Sequence, residues 1–142
     1  MPLDRYQTGL DALRTAGLKL TPQRLAVLEC LLGDETHPTA QELHARLQRR
    51  HPTMSVATVY NTLSALDAIG YCRRIELGGS SRFDPNVELH DHALCEGCGA
   101  MRDVAPSAAQ PQPERLRALP GFHVSRVERI YRGLCAKCAR AA

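Results

Sequence analysis

Residues 55–84 read SVATVYNTLSALDAIGYCRRIELGGSSRFD, and this stretch decides the fold of the first half of the chain. Ser55 is a residue type that caps a helix by accepting a backbone N–H. Val56, Val59, Leu63 and Leu66 follow at helical spacing as an apolar stripe, and Gly70 ends the run with a residue at ease in the left-handed conformation. Thr58, Tyr60, Asn61 and Ser64 are left largely on the other face. Beyond Gly70, YCRRIEL and SRFD are strand-like segments joined by GGS, the pattern of a two-stranded hairpin or wing.

Three more helices are expected upstream. Residues 4–16 carry Leu10 and Leu13 on one face and stop at Gly17. In LTPQRLAVLECLL, Thr21 caps a second helix with Pro22 at its first position, where a missing amide donor costs nothing. Leu25, Leu28 and Leu32 mark its expected buried face, and Cys30 reads as a buried, inert thiol. GDETHP is a loop; Thr39 and Glu42 then fit the S/T-x-x-E capping box ahead of Leu43 and Leu47, in a helix running to residue 50. Helices separated by brief turns and followed by a hairpin describe a winged helix-turn-helix, with residues 56–69 as the recognition helix. There Tyr60 suits a thymine methyl and Asn61 a base-edge donor or acceptor. The same polar face equally fits a solvated helix surface.

Downstream, residues 82–98 read RFDPNVELHDHALCEGC and bring two metal chemistries into one run. Thiolate suits zinc, whereas imidazole with carboxylate suits iron, manganese or zinc. Cys95 and Cys98 form one C-x-x-C pair, Cys135 and Cys138 a second, and four thiolates make a closed structural zinc site. The 36 residues between Cys98 and Cys135 exceed the loop of a compact zinc ribbon, so the metal joins distant strands. A redox role is disfavoured because neither pair is expected to begin a helix in a thioredoxin-like βαβ unit. In a strand, period-two alternation puts His90 and His92 on one face and Asp91 on the other, which favours shared coordination; two histidines in a loop are equally often only solvated. Asp84, Asp103 and His37 are plausible further ligands, each read singly as an ordinary side chain. Short strands (HALC, AMRDV, HVSRVERIYRGLC), a proline-rich connector (APSAAQPQP) and a short helix over residues 113–119 complete the half. Cys72, without a cysteine neighbour, reads as structural.

A chain of 142 residues fits one large domain or two small ones, and a small second domain needs a staple, for which zinc is suited. The opening MPLDRYQTGLDALR is charged and amphipathic, unlike a secretory segment, and no apolar run approaches the roughly 20 residues that span a bilayer. A cytoplasmic protein with reduced thiols and no membrane role is therefore expected. The net charge of +3, with Lys19 and Lys137 its only lysines, does not by itself mark a nucleic-acid binder.

Taken together, LTPQRLAVLECL, HPTAQEL, SVATVYNTLSALDAIG, SRFD, HDHALCEGCG and GLCAKC resemble the ferric uptake regulator (Fur) family of bacterial metalloregulatory repressors over nearly the whole chain. Within it, MSVATVYN and the ligand set look most like the peroxide-sensing (PerR) branch. The resemblance implies an α+β protein: a winged helix-turn-helix DNA-binding domain over residues 1–83, then a small α/β dimerisation domain over residues 84–142 with structural zinc on Cys95, Cys98, Cys135 and Cys138. It implies a regulatory Fe2+ or Mn2+ site of His37, Asp84, His90, His92 and Asp103. A homodimer would then read a palindromic double-stranded operator, with Ser55, Thr58, Tyr60 and Asn61 at the DNA. Peroxide would be sensed through iron-catalysed oxidation of a ligand histidine, His37 or His92. Zinc-uptake regulators tend to place cysteine where Asp84 stands. Iron-uptake regulators usually carry Glu at the position of Asp103, and often histidines where Leu89 and Val127 stand. A manganese- or iron-responsive uptake repressor is the alternative. A zinc hydrolase or deaminase is a poorer fit, because HDH followed by LCEGC does not match H-x-E with P-C-x-x-C; no enzymatic activity is expected.

Overall fold

Side-chain caps set the helices of the first half. In this computed structural model, which describes residues 3–106 and 119–142, α1 (Leu3–Thr15) gives way to Gly17 at φ 76°. Helix α2 (Pro22–Leu32) starts where the Thr21 hydroxyl accepts the Arg24 N–H at 3.3 Å. Helix α3 (Ala40–Leu47) carries the full capping box: Thr39 Oγ1 accepts from Glu42 N at 3.1 Å, and Glu42 Oε2 accepts from Thr39 N at 3.0 Å. Ser55 Oγ accepts from Thr58 N at 3.1 Å to open α4 (Val56–Ala68). The wing pairs β1 (Arg73–Glu76) antiparallel with β2 (Ser81–Asp84). Its turn places Gly78 and Gly79 at φ 56° and 109°, a two-residue loop that demands positive φ at both positions and matches the twist of the strands.

The chain divides into two compact units, Met1–Glu88 and Leu89–Ala142. The first is the winged helix-turn-helix. Leu13, Val27, Leu28, Leu31, Leu43, Val59, Leu63, Leu66 and Phe83 are fully buried in its core. Two expected stripes are corrected. On α2 the core face is Val27, Leu28 and Leu31, with Leu25 and Leu32 only half-buried, because α2 is rotated toward the stripe adjoining the one read from leucines alone. On α4 Val56 lies exposed in the first turn, and Thr62 takes a core position instead, its hydroxyl satisfied by the Thr58 carbonyl at 2.8 Å. Gly9, in the middle of α1, is there for close approach: a Cβ at that position would stand 2.6 Å from Leu28 Cδ1.

The second unit is a three-stranded sheet in the order β4-β3-β5, formed by β3 (Asp91–Cys95), β4 (Met101–Val104) and β5 (Ile130–Gly133), followed by α5 (Ala136–Ala141). Strand β3 pairs antiparallel with β4 and parallel with β5. The long strand expected from residue 123 onward is reduced to Ile130–Gly133. Its imperfect alternation matches the exposure of Ser125, Arg126, Val127 and Glu128, which have no core face to present. All but the last residue of the short helix expected over residues 113–119, and most of the proline-rich connector, lie outside the described residues. Among those described, no helix is long and apolar enough to cross a membrane.

Candidate metal centres and the reading helix

The four cysteines arrive from two strand ends. Cys95 closes β3, Cys98 follows in the turn, and the parallel pairing of Cys95 with Gly133 brings the chain end carrying Cys135 and Cys138 alongside. One Sγ from each residue lies within 4.8 Å of all the others, and Cys98 Sγ is 3.9 Å from Cys135 Sγ. Sulfurs at the corners of a tetrahedron around zinc, each at ~2.3 Å, are about 3.8 Å apart, so the set fits that ion. Backbone donors already favour thiolate: Cys95 Sγ accepts from Cys135 N at 3.2 Å and Cys98 N at 3.5 Å, and these bonds bring the Cys95 thiol down to about 6. The crowding of sulfurs acts the other way on Cys138, whose thiol is pushed up to about 12 by Cys135 and Cys95. A divalent cation removes that conflict. The second C-x-x-C begins a short helix: Cys135 is the N-cap of α5, accepting from Cys138 N at 3.5 Å. The cap serves to turn two sulfurs toward the Cys95 end of β3. Gly97 makes the approach possible, since a Cβ on it would sit 3.0 Å from both Cys138 Cβ and Sγ.

A nitrogen and oxygen cluster occupies the other end of the same sheet. His92 on β3 is the register partner of Asp103 on β4. His90 precedes the strand, on the same side as His92 as alternation requires, and the two Nε2 atoms are 3.0 Å apart. Asp103 Oδ1 lies 3.1 Å from His90 Nε2 and 3.5 Å from His92 Nε2. Two nitrogens at right angles on one ion, each at ~2.1 Å, are separated by about 3.0 Å, so these imidazoles are spaced as adjacent ligands. Asp91 points away toward Arg129, its Oδ2 3.9 Å from Nη1, and among the described residues it belongs to neither cluster of ligands.

In the first unit, His37 and Asp84 form a second pair, with His37 Nε2 3.4 Å from Asp84 Oδ2 and both side chains at most 2% exposed. Asp84 ends β2. His37 stands in the loop between α2 and α3 at φ 56°, a left-handed conformation that no other described non-glycine residue adopts. Around it, Arg82 Nη1 donates to the His37 carbonyl at 3.2 Å and Phe83 N to the Pro38 carbonyl at 3.0 Å. Nothing in the sequence signalled the partners of this loop. Asp34 accepts from Thr36 N at 2.6 Å, from the Thr36 hydroxyl and from Arg46, and Arg46 Nη2 also donates to Thr36 Oγ1 at 3.3 Å. Burial pushes the Asp34 carboxyl up, but the Thr36 and Arg46 bonds outweigh it and hold it below the usual carboxylate range.

On α4, Tyr60 and Asn61 are exposed. The Tyr60 ring meets Phe83 edge-on at 6.4 Å, and the Arg74 guanidinium lies 5.1 Å from its centroid, so the wing fixes its direction. Ser55 and Thr58 are engaged with each other, hydroxyl to hydroxyl at 3.0 Å, in addition to the cap. His44 is accounted for by the Met54 carbonyl at 2.7 Å. Cys30 is half-buried, not buried, while Cys72 is enclosed and its thiol is driven up to about 12, chiefly by burial.

A winged helix-turn-helix joined to a small sheet with a four-cysteine cage defines the class of metal-dependent transcriptional regulators. Residues 15–131 match the model of the ferric uptake regulator family, and the chain belongs to that family. It is 35% identical to the peroxide operon regulator of Bacillus subtilis (strain 168) over 141 residues, 99% of this chain and 97% of that protein. Identity is also 35% to the peroxide-responsive repressor PerR of Staphylococcus aureus (strain Mu50 / ATCC 700699), covering 93% of this chain and 90% of the relative. Among solved structures, the Vibrio cholerae ferric uptake regulator superposes with a TM-score of 0.69 at 29% identity, covering 88% of this chain and 98% of the other. These are regulators, and the chain is not an enzyme.

Proposed function

We propose that this protein is a cytoplasmic, homodimeric repressor of palindromic operators that senses peroxide through a regulatory iron. The observation that carries the peroxide reading is the 35% identity, over 99% of the chain, to a regulator of a peroxide operon. In this reading residues 1–83 bind DNA, residues 84–142 dimerise, and zinc on the four cysteines holds the second unit. His37 from the DNA-binding domain, Asp84 at the hinge, and His90, His92 and Asp103 from the dimerisation domain share one ion. His37 and Asp84 alone offer only two donors, and the two sets together supply five nitrogen and oxygen ligands, the donor types that suit Fe2+ or Mn2+.

A ferrous ion in that shell would supply electrons to hydrogen peroxide and so generate an oxidant beside its own ligands. The chain's residues do the rest. Ligation of His37 from the first unit and His92 from the second fixes one orientation of the reading helices, and hence their spacing along the duplex. Oxygen insertion into either imidazole weakens it as a ligand and lets the orientation go. Ser55, Thr58, Tyr60 and Asn61 sit at the DNA, with Tyr60 and Asn61 at base edges and the Ser55–Thr58 pair holding the helix start. The test is binding to a palindromic duplex by zinc-loaded protein with Mn2+, with Fe2+ and with neither. Tight binding of a dimer only with a second metal is expected; metal-independent binding contradicts the proposal. Retained binding after peroxide with iron bound would leave a plain manganese- or iron-responsive repressor.

A further inference from the structure

The conformation of His37 carries an inference beyond its ligand role, although resting on that role. A β-carbon residue at φ 56° is disfavoured by contact with the following carbonyl, and Pro38 restricts the residue before it further. Such strain persists only where the surroundings over-determine it. Here they do. Upstream, Asp34 gathers the Thr36 N–H, the Thr36 hydroxyl and Arg46, which reaches in from α3 and also holds Thr36. Downstream, Arg82 and the Phe83 N–H of β2 fasten the His37 and Pro38 carbonyls, and the next residue on that strand is Asp84.

We infer that Asp34, Thr36 and Arg46 are positioning residues for the regulatory metal, holding the His37 imidazole against Asp84 before any ion arrives. The arrangement gives the bond network a task beyond its contribution to stability. The loop spans only seven residues between α2 and α3, and an unstrained path would not require a buried carboxylate tied to an arginine. Arg46 is suited to the bridge because its planar fork reaches Asp34 and Thr36 together, whereas a lysine presents one point charge. Metal binding would then be coupled to α3 through its own side chain, as partners behind a ligand commonly tune affinity.

A double-mutant cycle decides it. Mn2+ affinity is measured by electron paramagnetic resonance of the free ion in zinc-loaded wild type, Arg46→Met, His37→Ala and the double variant. Removing a group behind a ligand costs about 10–100-fold in affinity. A loss in that range for Arg46→Met is expected, with zinc content unchanged. In the His37→Ala background Arg46→Met should cost much less, because the ligand it positions is gone. An equal loss in both backgrounds, or no loss in wild type, overturns the positioning role. If His37→Ala itself leaves Mn2+ affinity unchanged, the ligand assignment fails and the inference with it. Thr36→Val, which removes one hydroxyl and keeps the ion pair, gives the same cycle with a smaller loss if Arg46→Met does not fold.

Discussion

Replacing Asp34 by asparagine keeps the shape of the side chain and one acceptor for Thr36 but sets an amide N–H2 or a neutral oxygen against the Arg46 guanidinium. A hydrogen bond to a charged group contributes about 1.5–3 kcal/mol. The Arg46 side chain is 45% exposed, so water recovers part of its hydration and the pair is worth less than a fully buried one. A net loss of about 1–2 kcal/mol at pH 7 follows, which for a unit of this size lowers the midpoint by about 4–8 °C per kcal/mol. The pH dependence has a definite sign. The folded state holds the Asp34 carboxyl below its ordinary value of 3.8, so its contribution is complete above about pH 4 and disappears as pH falls through the lower folded value. Wild type and Asp34→Asn should therefore differ at neutral pH and converge in acid. The assay is thermal unfolding followed by helical circular dichroism from pH 7 down to pH 3; zinc release in acid affects both proteins and cancels in the difference. Equal stability at pH 7, or a gap that stays constant or widens in acid, would refute the reasoning.

Further consequences follow from single contacts. Gly97→Ala should weaken zinc retention against a chelator, because its new Cβ must displace Cys138, itself a ligand; unchanged release kinetics would contradict the packing. Cys72 should resist alkylation in the native protein at pH 8 and react once urea is added, since burial keeps its thiol protonated there; rapid native labelling would show the core to be open. Tyr60→Ala should lower operator affinity more than affinity for random duplex, because base contacts discriminate and phosphate contacts do not; an equal loss on both would mean that Tyr60 only packs against Phe83.

Much of this fold was legible because its signals are local. Thr21, Thr39 and Ser55 each bond a backbone N–H three residues on, so the sequence carries the cap and the helix start together. The Gly78-Gly79 turn and the two C-x-x-C pairs are equally self-contained. What was not legible depends on partners far along the chain. Which stripe of α2 faces inward is settled by α1 and α4, so Val27 and Leu31 displaced Leu25 and Leu32. Cysteine is an unusual N-cap, and Cys135 acts as one only because the parallel pairing of β5 with β3 presents the sulfurs there. Arg46 and Asp34 lie on separate elements, and no spacing rule joins them to His37. The cluster of His90, His92 and Asp103 was half legible: alternation aligned the histidines, but the register that seats Asp103 opposite His92 is a property of the sheet.

The central claim, that a nitrogen and oxygen site containing His37 and His92 turns peroxide into loss of DNA binding, is tested most directly by mass spectrometry of tryptic peptides. Protein loaded with zinc and then with Fe2+ or Mn2+ is treated with hydrogen peroxide, and operator affinity is read on the same samples. The account predicts that iron-loaded protein gains one oxygen atom on the peptide carrying His37 or His92 and loses operator binding, while manganese-loaded protein keeps both. Unmodified histidines with full operator affinity in the iron-loaded sample would contradict it.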